Sequence, residues 1–399
     1  MSTDVLAEYG LRRIINLAGI ETAHGAAAVP PEIARAVHDI LPHYVEMNEL
    51  QSVASAEIAA TTGAEAGFVT NCAAAGITVA VAATMTGLDP ARIEQLPDTT
   101  GMKNRVVLQK GHEVNFGASV TQMIRLSGAA VVEIGTATSA ALFQLRAALT
   151  PDVTAALYVV SHHTVQHGLI PLAEFCEVCH AAEVPVIVDA AAEYDWGALL
   201  AQGADIVVFS VQKALLGPTA GIVAGRRDLV QAAHHQEAGI GRPMKTGKEG
   251  IAGAIAALRR RRREEIGADA EPRLTRTEAA LAAVPGLSTR RQRDPTGGPF
   301  SRLELHVDPS LTGRNAWSLA AELAGGSPKI ALRTLHADLG YLLLDMRPVS
   351  DAELEEALAA IIGCCASSPA IDPARARQRR GDRMAAQYRG WPRSVRGAP

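Results

Sequence analysis

The chain has 399 residues, 48% hydrophobic and 20% charged, with 38 Lys and Arg against 42 Asp and Glu for a net charge of −4. That length holds one large domain and a smaller one without disulfides, and the near-neutral balance excludes a global pull toward nucleic acid or anionic membrane. The opening residues MSTDVLAEYGLRRIIN lack the features of an export signal, and no uninterrupted apolar run reaches transmembrane length, so the expected compartment is the cytoplasm.

Residues 1–45 read as an entry segment: a short strand at 13–17, a turn at Ala23-His24-Gly25, and a helix opened by Pro30-Pro31. A helix over 49–62, stopped by Gly63, leads to a strand at 68–70. Asn71-Cys72-Ala73-Ala74-Ala75-Gly76 then opens a long helix of small residues. A strand, a polar turn and a helix start make an anion site, because backbone amides and the helix dipole converge there; a plainly capped helix has the same pattern. Residues 90–104 read as an irregular surface loop.

From Val106 strands (106–109, 131–134, 156–160, 186–189, 206–210) alternate with helices (115–127, 138–148, 171–183). This is the signature of an α/β fold with a mainly parallel sheet covered on both faces. Catalytic groups belong in the loops after the strand C-termini. The polar residues there are Lys110-Gly111-His112, Ser161-His162-His163, Asp189 and Ser210-Val-Gln-Lys213.

Beyond Gly225 come a helix at 226–237, a glycine-rich basic loop at 238–250 carrying Arg242, Lys245 and Lys248, and a helix at 251–265. Its run Arg259–Arg263 reads as a solvated helix end with i,i+4 pairing. From Pro272 the order helix, strand, strand, helix, strand, strand, helix marks a small C-terminal α+β domain, with Thr312 capping a helix over 313–324 and Ser350 to Glu353 as a capping box. The expected division is 1–45, 46–265, 266–369 and an Arg-rich tail at 370–399, unstructured or clasping a partner. Cys176-Glu-Val-Cys179-His180 matches a haem-attachment pattern, but Leu172, Phe175, Cys176 and Cys179 fall on one apolar helix face and read as core.

Two buried strands carry the chemistry: one ends in Asp189, and the other is followed three positions on by Lys213. Taken alone, Lys213 reads as a snorkelling surface lysine, and Asp189 as a cap for the segment near Glu193. Together, an amine and an anion from one sheet edge supply what pyridoxal 5'-phosphate requires, a carrier for its carbonyl and a partner for its ring nitrogen. Desolvation lowers a lysine pKa, as that bond needs. The amides of Asn71, Cys72 and Ala73 with Ser210 are candidates for the phosphate, His112 for the ring face, and His162 and His163 for the ring hydroxyl or proton transfer. Ser210-Val-Gln-Lys213 and Lys245-Thr-Gly247 also fit two signatures of penicillin-recognising serine enzymes, but here the serine ends a strand and no S-D-N element intervenes.

These motifs, with Ile15-Asn-Leu-Ala-Gly19, Thr62-Gly-Ala-Glu65-Ala, Val131–Gly135, Gly203-Ala-Asp205, Gly217-Pro-Thr-Ala-Gly221 and Arg242-Pro-Met-Lys245, resemble the fold type I pyridoxal phosphate enzymes over roughly 13–360. The similar branch comprises bacterial selenocysteine synthase and shorter relatives of the D-glucosaminate-6-phosphate ammonia lyase type. The resemblance implies Lys213 as the cofactor lysine, Asp189 as the ring-nitrogen partner, and Arg333 as the receptor for the substrate carboxylate, since a planar guanidinium makes paired hydrogen bonds. Arg242, Lys245 and Lys248 are the implied contacts for a further substrate anion.

Two departures separate the chain from the synthase itself. It enters the core within about a dozen residues, without the region that serves a tRNA substrate, and it carries Lys110-Gly-His112 near the cofactor face, as in the lyase branch. The expected activity is β-elimination from a small, anionic, sugar-acid-like amino acid to give a 2-oxo acid and ammonia, in a homo-oligomer with no membrane or nucleic-acid partner. A racemase, epimerase or aminotransferase would use the same residues, and a non-catalytic, RNA-associated protein using the arginine tail is the alternative of another class.

Overall fold

The computed structural model describes residues 4–263, 270–376, 388, 389 and 391; most of the Arg-rich tail expected at 370–399 lies outside the described residues. Two compact units form, one from residues 4–26 and 270–376 and the other from residues 27–263, so the entry segment read at 1–45 is divided between them. The first strand, β1 (Ile14–Asn16), belongs to the former, here the terminal unit.

The large unit carries β2 (Ala66–Thr70), β3 (Arg105–Gln109), β4 (Ala130–Ile134), β5 (Val153–Val159), β6 (Val186–Asp189), β7 (Ile206–Ser210) and β8 (Gly221–Gly225). They form one sheet in the order β2-β8-β7-β6-β5-β3-β4, in which only β8 runs against its neighbours. Every residue of β2, β6, β7 and β8 is buried, which is why these strands read as continuous apolar runs rather than alternating ones. Val188, Val207 and Phe209 face one core layer, and Ile187, Ile206 and Val208 the other. Helix Ala73–Thr86 is buried nearly all round and lies so close to the sheet that a Cβ on Gly76 would stand 2.7 Å from Val208 Cγ1.

Three sequence expectations change here. The segment 90–104 opens with a helix, Pro90–Gln95, because the Asp89 carboxylate accepts the Ala91 N–H at 2.9 Å and proline suits the first helical position. The helices expected from 115 and 138 start later, at Val120 and Leu142, after extended backbone at Ser119 and Ala141. The arginine run on helix Lys248–Arg261 pairs across helices: Arg259 Nε is 2.7 Å from Glu57, and Arg260 Nε is 3.1 Å from Glu32. Cys176 and Cys179 lie in the core, where burial pushes both thiols up to about 12.

The terminal unit holds β9 (Leu287–Arg293), β10 (Ser301–Val307), β11 (Lys329–Ala331) and β12 (Tyr341–Leu344). An antiparallel sheet runs β12-β10-β9, while β1 and β11 pair in parallel. Asn315, not Thr312, caps the helix Ala316–Gly325, in a reciprocal box with Ser318, whereas Ser350 and Glu353 make their box as the sequence indicates. Arg314 is fully buried; its guanidinium is 3.0 Å from Glu322 and donates to the carbonyls of Ser367 and Ser368 at 3.0 Å each. Glu322 also accepts the N–H groups of Ala370 and Ile371 at 3.1 Å, so the segment leaving the last long helix is clasped.

Candidate active site

Because β2 and β3 to β7 share one direction, their C-terminal ends lie along one edge of the sheet, and the predicted residues of the large unit collect there. Asp189 closes β6 opposite Val208 of β7 on one side and Val159 of β5 on the other. It is 4% exposed, and its Oδ1 accepts the Ala191 N–H at 3.1 Å. Burial raises its pKa to about 6, against the opposing pull of the Lys213 charge and the Ala191 N–H.

Lys213 sits in the turn that follows β7. Its carbonyl accepts from Leu216 at 3.1 Å, Leu216 takes a positive φ of 53°, and the Gly217 N–H returns to the Val211 carbonyl at 2.9 Å. This closed turn holds a half-buried lysine within the electrostatic reach of Asp189.

His112 ends the 3₁₀ turn after β3 and is 2% exposed. Its Nδ1 accepts the Val159 N–H at 3.3 Å, and its ring meets Tyr158 edge-on at 4.3 Å. A backbone N–H can only donate, so the imidazole proton is assigned to Nε2. Burial pushes the pKa down to about 4, which leaves the ring neutral at pH 7. His162 lies in the next loop, its ring 3.9 Å from that of His163. That loop is tied to the His112 turn by the Val165 N–H bonding the Gly111 carbonyl at 3.1 Å.

The Asn71–Ala73 turn is fixed from two sides. The Asn71 N–H and the Thr70 hydroxyl both donate to the Met244 carbonyl, at 2.9 and 2.7 Å. Cys72 caps the following helix, its Sγ accepting the Ala75 N–H at 3.4 Å. Below the turn lies Gly221, which pairs with Thr70 on one side and Ser210 on the other. A Cβ on Gly221 would come within 2.6 Å of the Ala73 nitrogen, so only glycine lets the strand approach this closely. The first N–H groups of a helix have no intrahelical acceptor, and Ser210 is brought to the same place.

The basic loop is brought to the turn through Met244 and a bridge between Thr70 and Lys245. Arg242 and Lys245 stand near Glu237, whose carboxyl burial raises while they oppose the shift. Lys248 donates to the His43 carbonyl. Arg333 lies in the terminal unit, 11% exposed at its side chain, with Nε donating to the Ala18 carbonyl at 3.1 Å. The sequence reading missed the Met244 carbonyl and the Tyr158 ring, since neither residue type advertises such a role.

The donor set fits pyridoxal 5'-phosphate: a buried carboxylate that the protein compensates incompletely, a lysine beside it, and a tight turn whose amides open a helix over a strand kept bare at Gly221. Among the described residues no cluster of three or more His, Cys, Asp or Glu could hold a metal, and no helix is long and apolar enough to cross a membrane.

Comparison with known proteins agrees. The family model of SelA, L-seryl-tRNA selenium transferase, matches residues 14–292. D-glucosaminate-6-phosphate ammonia lyase of Salmonella typhimurium is 37% identical over 89% of this chain and 96% of its own length. The 5'-C-glycyluridine monooxygenase-decarboxylase of a Streptomyces species is 38% identical over 86% of this chain and 87% of its own. A solved structure of D-glucosaminate-6-phosphate ammonia-lyase superposes with a TM-score of 0.85 at 36% identity, covering 92% of this chain and 99% of that one. With a fold type I architecture and pyridoxal 5'-phosphate as its cofactor, the chain belongs to the SelA family.

Proposed function

We propose that the chain is an ammonia lyase that removes a β-substituent from a small anionic amino acid of the sugar-acid type and releases a 2-oxo acid and ammonia. The pairing of Asp189 with Lys213 at adjacent strand ends carries the cofactor chemistry of this reading, and the 37% identity to D-glucosaminate-6-phosphate ammonia lyase supports the elimination. Bound pyridoxal phosphate supplies an electron sink conjugated to the substrate α-carbon.

In this reading Lys213 is the amine that would hold the cofactor, and its Nζ would serve as the base for the substrate α-proton. Asp189 holds the ring nitrogen protonated. The burial that raises its pKa also makes it a strong partner for a cation, since the pair screens both charges from a poor solvent. The turn at Asn71, Cys72 and Ala73 takes the phosphate with Ser210, and Arg242, Lys245 and Lys248 of the basic loop meet a further anionic group of the substrate. His112, neutral and fixed by Val159, offers its ring as a flat wall and Nε2–H as a donor, while His162, in the loop tied to the His112 turn, serves the ring hydroxyl or proton transfer. Arg333 receives the substrate carboxylate. The chain works in the cytoplasm as a homo-oligomer; Leu41, Tyr44, Met47 and Val53, exposed large apolar residues within one short segment, support a covered face there.

The test is product analysis of the pyridoxal phosphate-loaded protein with D-glucosaminate 6-phosphate. Ammonia and a 2-oxo acid in equal amounts, abolished by Lys213→Ala, support the reading. Carbon dioxide release with oxygen uptake would align the chain with the Streptomyces relative instead. Solvent deuterium at the α-carbon without elimination would make it a racemase or epimerase.

A further inference from the structure

The motif Ile15-Asn-Leu-Ala-Gly19 lies outside the cofactor chemistry, yet it touches Arg333. Arg333 Nε donates to the Ala18 carbonyl at 3.1 Å, whereas its ion pair with Glu21 is longer, at 3.9 Å. The backbone of Arg333 is held independently, by N–H to carbonyl bonds exchanged with Leu343 at 3.1 and 3.0 Å. The direction of the guanidinium, at the end of a flexible side chain, therefore follows the position of the Ala18 carbonyl.

One side chain fixes that carbonyl. Asn16 Oδ1 accepts the Ala18 N–H at 3.1 Å, and Asn16 Nδ2 donates to the Gly19 carbonyl at 2.8 Å. A single amide thus holds the peptide planes on either side of the one that meets Arg333. The base of the turn is anchored by Leu17, whose N–H bonds the Ala331 carbonyl at 2.9 Å and whose carbonyl takes the Asp345 N–H at 2.8 Å. Gly19 closes the turn at a φ of 79°, and a Cβ there would stand 2.7 Å from Asp345 Oδ2, an oxygen of a buried carboxylate paired with Arg347. Both the angle and the space demand glycine. Burial first, then the charge of Arg302, lowers the pKa of Arg333, with Glu21 and Asp345 opposing. A carboxylate arriving at Arg333 relieves that pressure, provided the fork is aimed at it.

We propose that Asn16 is a positioning residue for substrate recognition, which through the Ala18 carbonyl aims Arg333 at the substrate carboxylate. The inference rests on the reading of Arg333 as the carboxylate receptor. An amide supplies the acceptor and the donor together; serine keeps an acceptor for the Ala18 N–H, and alanine has neither.

The experiment is calorimetric titration of the pyridoxal phosphate-loaded protein with 6-phosphogluconate and with glucitol 6-phosphate, which have no amine and differ at the carboxylate. Wild type prefers the acid by at least about 30-fold, the size of a paired, charge-assisted hydrogen bond. Arg333→Met removes the preference. Asn16→Ala and Gly19→Ala each bring it below about 5-fold while glucitol 6-phosphate binds within about 2-fold of wild type, and Asn16→Ser recovers part of it. Equal weakening of both ligands in Asn16→Ala marks a role in folding alone and overturns the inference. So does an intact preference in Asn16→Ala where Arg333→Met abolishes it. A preference that survives Arg333→Met, or that wild type lacks, overturns the carboxylate assignment of Arg333 and the inference with it, and leaves the lyase reading standing.

Discussion

Replacing Asp189 by Asn should stabilise the cofactor-free protein while destroying its function, and the gain should depend on pH in a calculable way. A carboxyl held at about 6 in the folded chain titrates near 3.9 when unfolded. Its folded pKa is raised, so stability is greatest while the group is protonated and is lost as pH rises from about 4 through 6. Proton linkage puts the cost at about 1.5 kcal/mol at pH 5 and about 3 kcal/mol at pH 8. The assay is urea unfolding of cofactor-free wild type and Asp189→Asn at both pH values. Changes in packing shift both measurements equally, so the variant's advantage should grow by about 1.5 kcal/mol between pH 5 and pH 8. Loading with pyridoxal phosphate should cancel that growth, because the protonated ring nitrogen neutralises the carboxylate. A difference that does not change with pH, or that shrinks as pH rises, refutes both the burial argument and the role assigned to Asp189.

Further outcomes follow from the same geometry. His112, held at about 4, works in the opposite sense: its contribution is lost as pH falls from 6.5 toward 4, so His112→Phe should gain about 2 kcal/mol on wild type between pH 7 and pH 5 in urea unfolding. Gly221→Ala pushes a methyl into the Ala73 amide and should weaken pyridoxal phosphate binding by at least about tenfold, read by absorbance titration, a loss of about 1.4 kcal/mol. Glu322→Gln leaves the buried Arg314 without its ion pair and should cost about 3 kcal/mol or more in denaturant unfolding. Cys176 and Cys179, buried with thiols near 12, should react with an aromatic disulfide reagent only at the rate of unfolding, whereas partly exposed Cys72 reacts in the folded state.

Asp189 and Lys213 were legible because each follows a run that can only be a buried strand, and a charged residue there demands a reason. The Asn71 turn was legible for a related cause: strand, polar residue and small-residue helix are local events. What the sequence hid depends on partners far along the chain. The arginines at 259, 260 and 262 look solvated until Glu57 and Glu32 arrive on neighbouring helices. The cap of helix Ala316–Gly325 falls at Asn315 because Thr312 is occupied with the carbonyls of Asp308 and Arg314. Arg333 meets the Ala18 carbonyl across 315 positions, and a carbonyl leaves no mark in a motif.

The clasp on Arg314 bears on how the protein responds to being pulled. Asn315 donates to the Pro373 carbonyl at 3.0 Å, beyond the bonds to Ser367, Ser368, Ala370 and Ile371. Tension applied beyond Ala376 therefore meets a buried ion pair before it reaches the helix Asp351–Ala366 or the sheet behind it, much as a cleat takes the load on a rope. Cutting the chain after Ala376 leaves that cleat whole, whereas cutting after Ala366 removes two of the carbonyls that solvate Arg314 and should unseat the unit that carries Arg333.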